Sequence, residues 1–305
     1  MKVRLLGTAA GGGFPQWNCA CSNCDALRRG TIASQARHEF CAAISADGKS
    51  WFLLEAPSDV RAHVEQFVPL QPGGAVRGTR IEGVLLTGAD LDQSLGLLTL
   101  REGPGLAVHA TATVKNSLAA GLRLPAVLDC YSGATWHEPP RKASALLRCD
   151  GTPSGLKYAA FAAVGQSPRY LRGRRTELCT DRVGYLIIDE TTGGRLIALP
   201  GFASLDDGTL DLIGNCHLLL IDGTFWSDDE LRRTGAGMLS AAEMGHLPVG
   251  GPAGSLAAVG PVPARRKIYV HMNNTNPMLA DDSAESLAVR QAGMEVGRDG
   301  IDFEL

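Results

Sequence analysis

Val84-Leu85-Leu86-Thr87-Gly88-Ala89-Asp90-Leu91-Asp92-Gln93 joins a short apolar run to a cluster of polar side chains. The apolar part has the length of a buried strand, and the polar part begins where such a strand emerges. The same change recurs three times further along. Residues 196–199 run into Pro200-Gly201, residues 218–221 into Asp222-Gly223-Thr224, and residues 268–270 into His271-Met272-Asn273-Asn274-Thr275-Asn276-Pro277. In layered α/β folds ligands sit in the crevice beyond the strand ends, so these clusters are expected to converge. Asp222-Gly223 and Asn276-Pro277 also read as plain turns, and for Asp222 alone the turn is the preferred reading. Asp92 and His271 together read as a site.

Further apolar runs at residues 3–6, 51–54, 107–109 and 185–188 read as strands. Helical spacing falls between some of them, at 59–66 with Asp59 as the cap, and at 94–101, 227–234 and 283–292. Helices interleaved with strands throughout, with no repeat and no linker, predict one α/β domain over residues 1–305, built in layers. Residues 122–153 read as an irregular insertion and 250–263 as a Gly/Pro-rich loop.

With 305 residues, 45% of them hydrophobic, the chain has ample material for a large core. A net charge of −3 supplies no basic surface for nucleic acid or for an anionic membrane. No run of ~18 apolar residues is present to span a bilayer. Met1-Lys2-Val3-Arg4-Leu5-Leu6-Gly7 reads as a first strand rather than a secretory leader. Cys41, Cys130, Cys149, Cys179 and Cys216 are scattered singly, which suits thiols in a reducing, cytoplasmic setting.

The other three cysteines are clustered in Cys19-Ala20-Cys21-Ser22-Asn23-Cys24. A C-x-C-x-x-C run sets three sulfurs around one point, which supplies most of a tetrahedral structural zinc site. A redox thiol pair and three unrelated buried cysteines are the alternative readings. A zinc would need its fourth ligand from elsewhere in the chain.

Several stretches carry a family likeness. They are Leu6-Gly7-Thr8-Ala9-Ala10-Gly11-Gly12-Gly13-Phe14-Pro15-Gln16-Trp17-Asn18-Cys19, Leu95-Gly96-Leu97-Leu98-Thr99-Leu100-Arg101-Glu102-Gly103, Asp222-Gly223-Thr224, Met244-Gly245-His246 and His271 to Pro277. Through them the chain resembles metallo-β-lactamase-fold proteins, and specifically the pyrroloquinoline quinone (PQQ) biosynthesis protein B family. The resemblance implies an αββα sandwich, two mixed sheets face to face with helices outside. In this superfamily the strand ending at Leu86 normally runs into H-x-H-x-D-H, whose side chains hold two metals that activate water. The four slots here hold Gly88, Asp90, Asp92 and Gln93. The B family also lacks the two leading histidines, but it usually keeps a histidine at the position of Gln93. Two-metal hydrolysis is therefore not expected.

The resemblance implies instead an iron(II) oxygenase that hydroxylates a cross-linked Glu–Tyr precursor of PQQ. Asp92 and His271 match its iron ligands, with Asp90 as a third, Gln93 beside them and Asn273 or Asn274 orienting the substrate. Related proteins with the same C-x-C-x-x-C insertion, such as the phosphonate-pathway cyclic phosphodiesterase, close the zinc with a late histidine; the matching residue is His246. Two stretches depart from the family pattern, His38-Glu39-Phe40-Cys41 in place of T-Q-S-S and Glu55-Ala56-Pro57-Ser58-Asp59 in place of N-A-S-P-D. The alternative function is a non-catalytic carrier for PQQ or a related intermediate, with a degraded metal centre. The expected partner is a small-molecule or peptide-derived substrate, with a homodimer left open.

Overall fold

Neighbouring side chains on each long strand enter different hydrophobic layers, and this alternation sets the architecture. The computed structural model describes residues 1–305 apart from 75, 175 and 177. The strands, in chain order, are β1 (Lys2–Gly7), β2 (Cys41–Ser45), β3 (Trp51–Leu54), β4 (Ile81–Leu85), β5 (Leu106–His109), β6 (Ala134–His137), β7 (Ser144–Leu147), β8 (Pro153–Ala162), β9 (Val183–Asp189), β10 (Arg195–Leu199), β11 (Leu218–Asp222), β12 (Arg266–Val270), β13 (Glu295–Val296) and β14 (Asp302–Glu304). On β3, Phe52 and Leu54 enter one core cluster while Trp51 and Leu53 enter another. On β11, Leu218 and Leu220 join the first cluster, and Leu219 and Ile221 join a third. The first cluster is the interior shared by the two sheets. The other two lie beneath the helices, one on each outer face. Strands buried on both faces read as unbroken apolar runs, which is why the sequence marked them.

The two sheets are mirror images in order. One runs β14-β1-β2-β3-β4-β5-β6 and the other β13-β12-β11-β10-β9-β8-β7. In the first, β3 to β6 are parallel and β14, β1 and β2 antiparallel; in the second, β10 to β13 are parallel and β7, β8 and β9 antiparallel. Helices Val60–Gln66, Gly96–Leu100 and Ala112–Leu122 bury Val60, Leu97, Val114 and Leu118 against the first sheet. Helices Asp207–Gly214, Ser255–Val259 and Ala284–Gln291 bury Ile213, Val259 and Val289 against the second. The result is the αββα sandwich of the metallo-β-lactamase type.

Four local expectations are corrected. Residues 122–153 are not irregular, since they hold helix Leu124–Leu128 and the edge strands β6 and β7, one for each sheet. The Gly/Pro-rich 250–263 contains helix Ser255–Val259. The helix expected at 94–101 is divided into Leu91–Ser94 and Gly96–Leu100. Here Gly96 N–H donates to Ala56 O at 2.8 Å, and a Cβ at Gly96 would stand 2.8 Å from that same oxygen. Asp59 precedes its helix without capping it; its Oδ2 accepts instead from Glu39 N–H at 2.9 Å. Ser283, in contrast, caps its helix, accepting from Ser286 N–H at 3.0 Å.

Candidate metal centres

β11 and β12 are parallel with Asp222 opposite Val270, so Asp222 and the next residue after β12, His271, leave the sheet at the same end. His271 has φ 57°, an uncommon backbone for a residue with a Cβ. Hydrogen bonds on the following residue over-determine it: Met272 N–H donates to Thr8 O at 3.0 Å and Met272 O accepts from Ala10 N–H at 2.8 Å. The turned imidazole places Nε2 3.0 Å from Asp92 Oδ2, on the short helix that follows β4 in the opposite sheet. Its Nδ1 lies 2.8 Å from Thr224 Oγ1, and Thr224 Oγ1 donates to Asp222 Oδ1. From a third direction, His246 Nδ1 stands 2.6 Å from Asp222 Oδ2. Its ring stacks on that of His271 with centroids 5.7 Å apart. One potential ligand atom from each of Asp222, His246 and His271 lies within 4.8 Å of the others.

The electrostatics suit a cation. Burial works against charge on His271, yet its contacts with Asp222 and Asp92 push the imidazole up to about 10. Burial would likewise raise Asp92, but the hydrogen bond and charge of His271 hold it below the usual carboxylate range. Asp222 is held low in the same way, against burial, by His246 and His271. The His271 ring thus lies between Asp92, beside its Nε2, and Asp222, reached from Nδ1 through Thr224, in a setting that favours positive charge. Two imidazoles with two carboxylates form a donor set that fits a first-row divalent metal. Asp222, read from sequence as a turn, is fully buried at the centre of this group.

Asp90 and Gln93 come close without joining the metal group. Asp90 pairs with the buried guanidinium of Arg182. Gln93 Oε1 accepts from Asp90 N–H at 3.1 Å, and its Nε2 donates to Thr87 Oγ1 at 3.0 Å. Both ends of the Gln93 amide are therefore occupied, and the expectation that Asp90 supplies a third metal ligand is corrected, since its carboxylate is held by Arg182. Thr87 Oγ1 and N–H both donate to Glu55, whose carboxyl is pushed by burial up to about 8. The two departures from the family pattern also meet each other. Glu39 Oε2 accepts from Ser58 N–H at 3.0 Å and from its hydroxyl at 2.6 Å, and Glu39 Oε1 accepts from Gly12 N–H at 2.8 Å. Asn273 Nδ2 donates to Thr275 Oγ1 at 2.6 Å, and the residue lines the crevice. The crevice encloses about 610 Å³ and is also lined by Arg169, Arg172 and Arg182.

Cys19, Cys21 and Cys24 bring their sulfurs within 4.8 Å of one another in a separate cluster. Its remaining direction is taken by Asn274, whose Nδ2 lies 3.2, 3.5 and 3.3 Å from the sulfurs of Cys19, Cys21 and Cys24. Burial pushes the Cys24 thiol up to about 11. His246, expected to close this cluster, belongs instead to the crevice. The loop that carries it is tied there through Leu247 N–H, which donates to Phe202 O at 2.8 Å. Sequence reasoning quoted Asn274 only as a substrate contact. The signal for its other role is the adjacent pair Asn273-Asn274, which sends one amide to each site.

A family model described as the beta-lactamase superfamily domain matches residues 50–272. The chain is 39% identical to coenzyme PQQ synthesis protein B of Pseudomonas entomophila (strain L48) over 306 residues, covering 100% of both. It is 37% identical to the protein of that name from Methylobacillus flagellatus, again over 100% of both. The crystal structure of Zn(2+)-bound PqqB from Methylobacterium extorquens superposes with a TM-score of 0.90 at 33% identity, covering 100% of each chain. A diphosphatase from the PhnP family shares the fold, with a TM-score of 0.68 at 16% identity over 100% of this chain and 97% of that one.

Proposed function

Because the chain belongs to the coenzyme PQQ synthesis protein B family, within the beta-lactamase superfamily, we propose that it is an iron(II)-dependent hydroxylase of PQQ biosynthesis. Its substrate is a peptide- or amino-acid-derived aromatic such as the PQQ precursor. The observation that carries this reading is the convergence of His246 and His271 with Asp222 and Asp92 at one end of the sandwich. Two imidazoles and a carboxylate with open positions form the donor set that iron oxygenases use. Iron bound there supplies the activation of oxygen.

The chain's own residues do the rest. Thr224, accepting from His271 Nδ1–H, fixes the ring plane and leaves Nε2 as the nitrogen that would hold the metal. Asp92, 3.0 Å from that nitrogen, would serve as a carboxylate ligand. Asn273 keeps its side-chain carbonyl for the substrate, since its amide N–H is used by Thr275. The Arg169 side chain makes no hydrogen bond or ion pair with the described residues and lines the crevice, so it offers a planar cation to a substrate carboxylate. In the thiol cluster, rotation of the Asn274 amide by half a turn would exchange Nδ2 for Oδ1, so that Asn274 and the three cysteines would hold zinc. That zinc is structural in this reading. The solved relative from Methylobacterium extorquens is described as Zn(2+)-bound, which supports zinc as a metal for this chain.

Gly88 and Gln93, standing where related hydrolases carry histidines, favour a second reading: a carrier that binds the intermediate without transforming it. One experiment separates the two. The protein is loaded anaerobically with ferrous iron and exposed to ¹⁸O₂ with a reductant and a tyrosine-derived substrate. Label in the product, lost in His271→Ala, supports the hydroxylase. Tight substrate binding with no label in the product identifies the carrier.

A further inference from the structure

Arg182 is a charged side chain enclosed in a metal crevice, and its surroundings are shaped for it. It is 5% exposed, lies immediately before β9, and is pinned beside the Asp90 loop because Val183 N–H donates to Thr87 O at 2.8 Å. One Nη pairs with Asp90 Oδ2. A Cβ at Gly201 would stand 2.7 Å from the other Nη, so the glycine is what leaves room for the guanidinium. Its Nε has no hydrogen-bond partner although it is buried. Burial disfavours its charge, but the carboxylates of Asp90, Asp92 and Asp222 more than offset this. Asp90, Asp92 and Asp222 therefore face two kinds of positive charge, the divalent ion of the proposed site and a fixed guanidinium. With His271 neutral as a ligand, one divalent ion and one guanidinium balance the three carboxylates.

We propose that Arg182 is the resident second cation of the crevice: it holds Asp90 away from the metal and limits the site to a single ion. The inference rests on the mononuclear reading of the site above. A carboxylate spent on a guanidinium is withdrawn from the ligands available to a second metal. Coordination positions on the first ion then stay open for oxygen and substrate, rather than being drawn into a two-metal arrangement that suits hydrolysis. Arg182 is a positioning residue in this scheme, acting through Asp90.

The test counts manganese(II) bound to zinc-loaded protein by equilibrium dialysis and reads spin coupling by electron paramagnetic resonance. Manganese prefers oxygen and imidazole ligands and leaves the thiol cluster to zinc. Wild type is expected to bind a single uncoupled ion. Arg182→Met should admit a second ion with a spin-coupled spectrum. Arg182→Lys, which keeps the charge, should stay at one, and Arg182→Met/Asp90→Asn should return to one. A spin-coupled pair in wild type, or a single ion in Arg182→Met, overturns the inference and leaves the hydroxylase reading intact. Absence of any manganese in wild type removes the mononuclear site itself. If Arg182→Met alone does not fold, the double variant decides: folded with one ion it supports the proposal, and unfolded it overturns it.

Discussion

The side-chain oxygen of Gln93 lies 2.5 Å from the point that a Cβ on Gly88 would occupy. The missing side chain at 88 and the amide at 93 are thus one unit, in which Gln93 fills the space that Gly88 leaves. The loop after β4 is held by this amide, through Asp90 N–H and Thr87 Oγ1.

Gly88→Ala should expel the Gln93 side chain and break both hydrogen bonds, destabilising the fold by about 1–3 kcal/mol. Denaturant unfolding checks this. An unchanged midpoint would mean that the amide contributes nothing to holding the loop.

The thiol cluster makes a prediction about chain closure. Cys21 and Asn274 are 253 residues apart and meet at one point, so a zinc held between them restricts a very long loop of the unfolded chain. Cys21→Ser should release zinc and lower the melting temperature. Asn274→Ala should weaken zinc binding, while Asn274→Asp, which keeps an oxygen ligand, should retain it. Elemental analysis after dialysis reads all three, and full zinc retention in Asn274→Ala would remove that residue from the site.

Two buried imidazoles set an acid limit. Burial pulls His63 down to about 4 and His109 down to about 3, while both sit near 6.5 in the unfolded chain. Below that value the unfolded chain takes up protons that the folded chain refuses. Stability is therefore fully present above about pH 6.5 and falls as the pH drops toward 4, by about 1.4 kcal/mol per pH unit for each group. In thermal melts between these values, His63→Phe should show a shallower dependence on pH than wild type. Equal slopes would exclude His63 as a source of acid lability.

Arg169→Ala should raise KM for a carboxylate-bearing substrate about tenfold or more, with kcat nearly unchanged, as expected for loss of a charged hydrogen bond of about 1.5–3 kcal/mol. The same variant should leave KM for the corresponding amide unaltered. An equal rise for both would mean that Arg169 does not read the carboxylate.

Much of the sandwich is legible because the parallel strands are buried on both faces. Residues 51–54, 196–199 and 218–221 are apolar without a break, read as strands and form β3, β10 and β11. β2 escapes the same reading: Ala42 and Ala43 are fully buried, yet alanine is a weak signal for a strand. β6 and β7 escape it because edge strands are half exposed and mix polar with apolar residues. In the site, Asp92 and His271 follow from the rule that ligands gather at strand ends, and they stand 3.0 Å apart. Asp222 was harder, since Asp-Gly reads as a turn until its burial is known. His246 lies on a loop whose direction no local pattern reveals, so only the fold assigns it to the crevice rather than to the thiols.

The central claim is that His246 and His271 share one metal in the crevice while the thiols hold another. Metal content of His246→Ala, measured after anaerobic titration with ferrous iron of protein expressed with zinc, tests it most directly. The account predicts that iron binding is lost while one zinc per chain remains. Loss of zinc with iron binding intact would contradict it and return His246 to the thiol cluster.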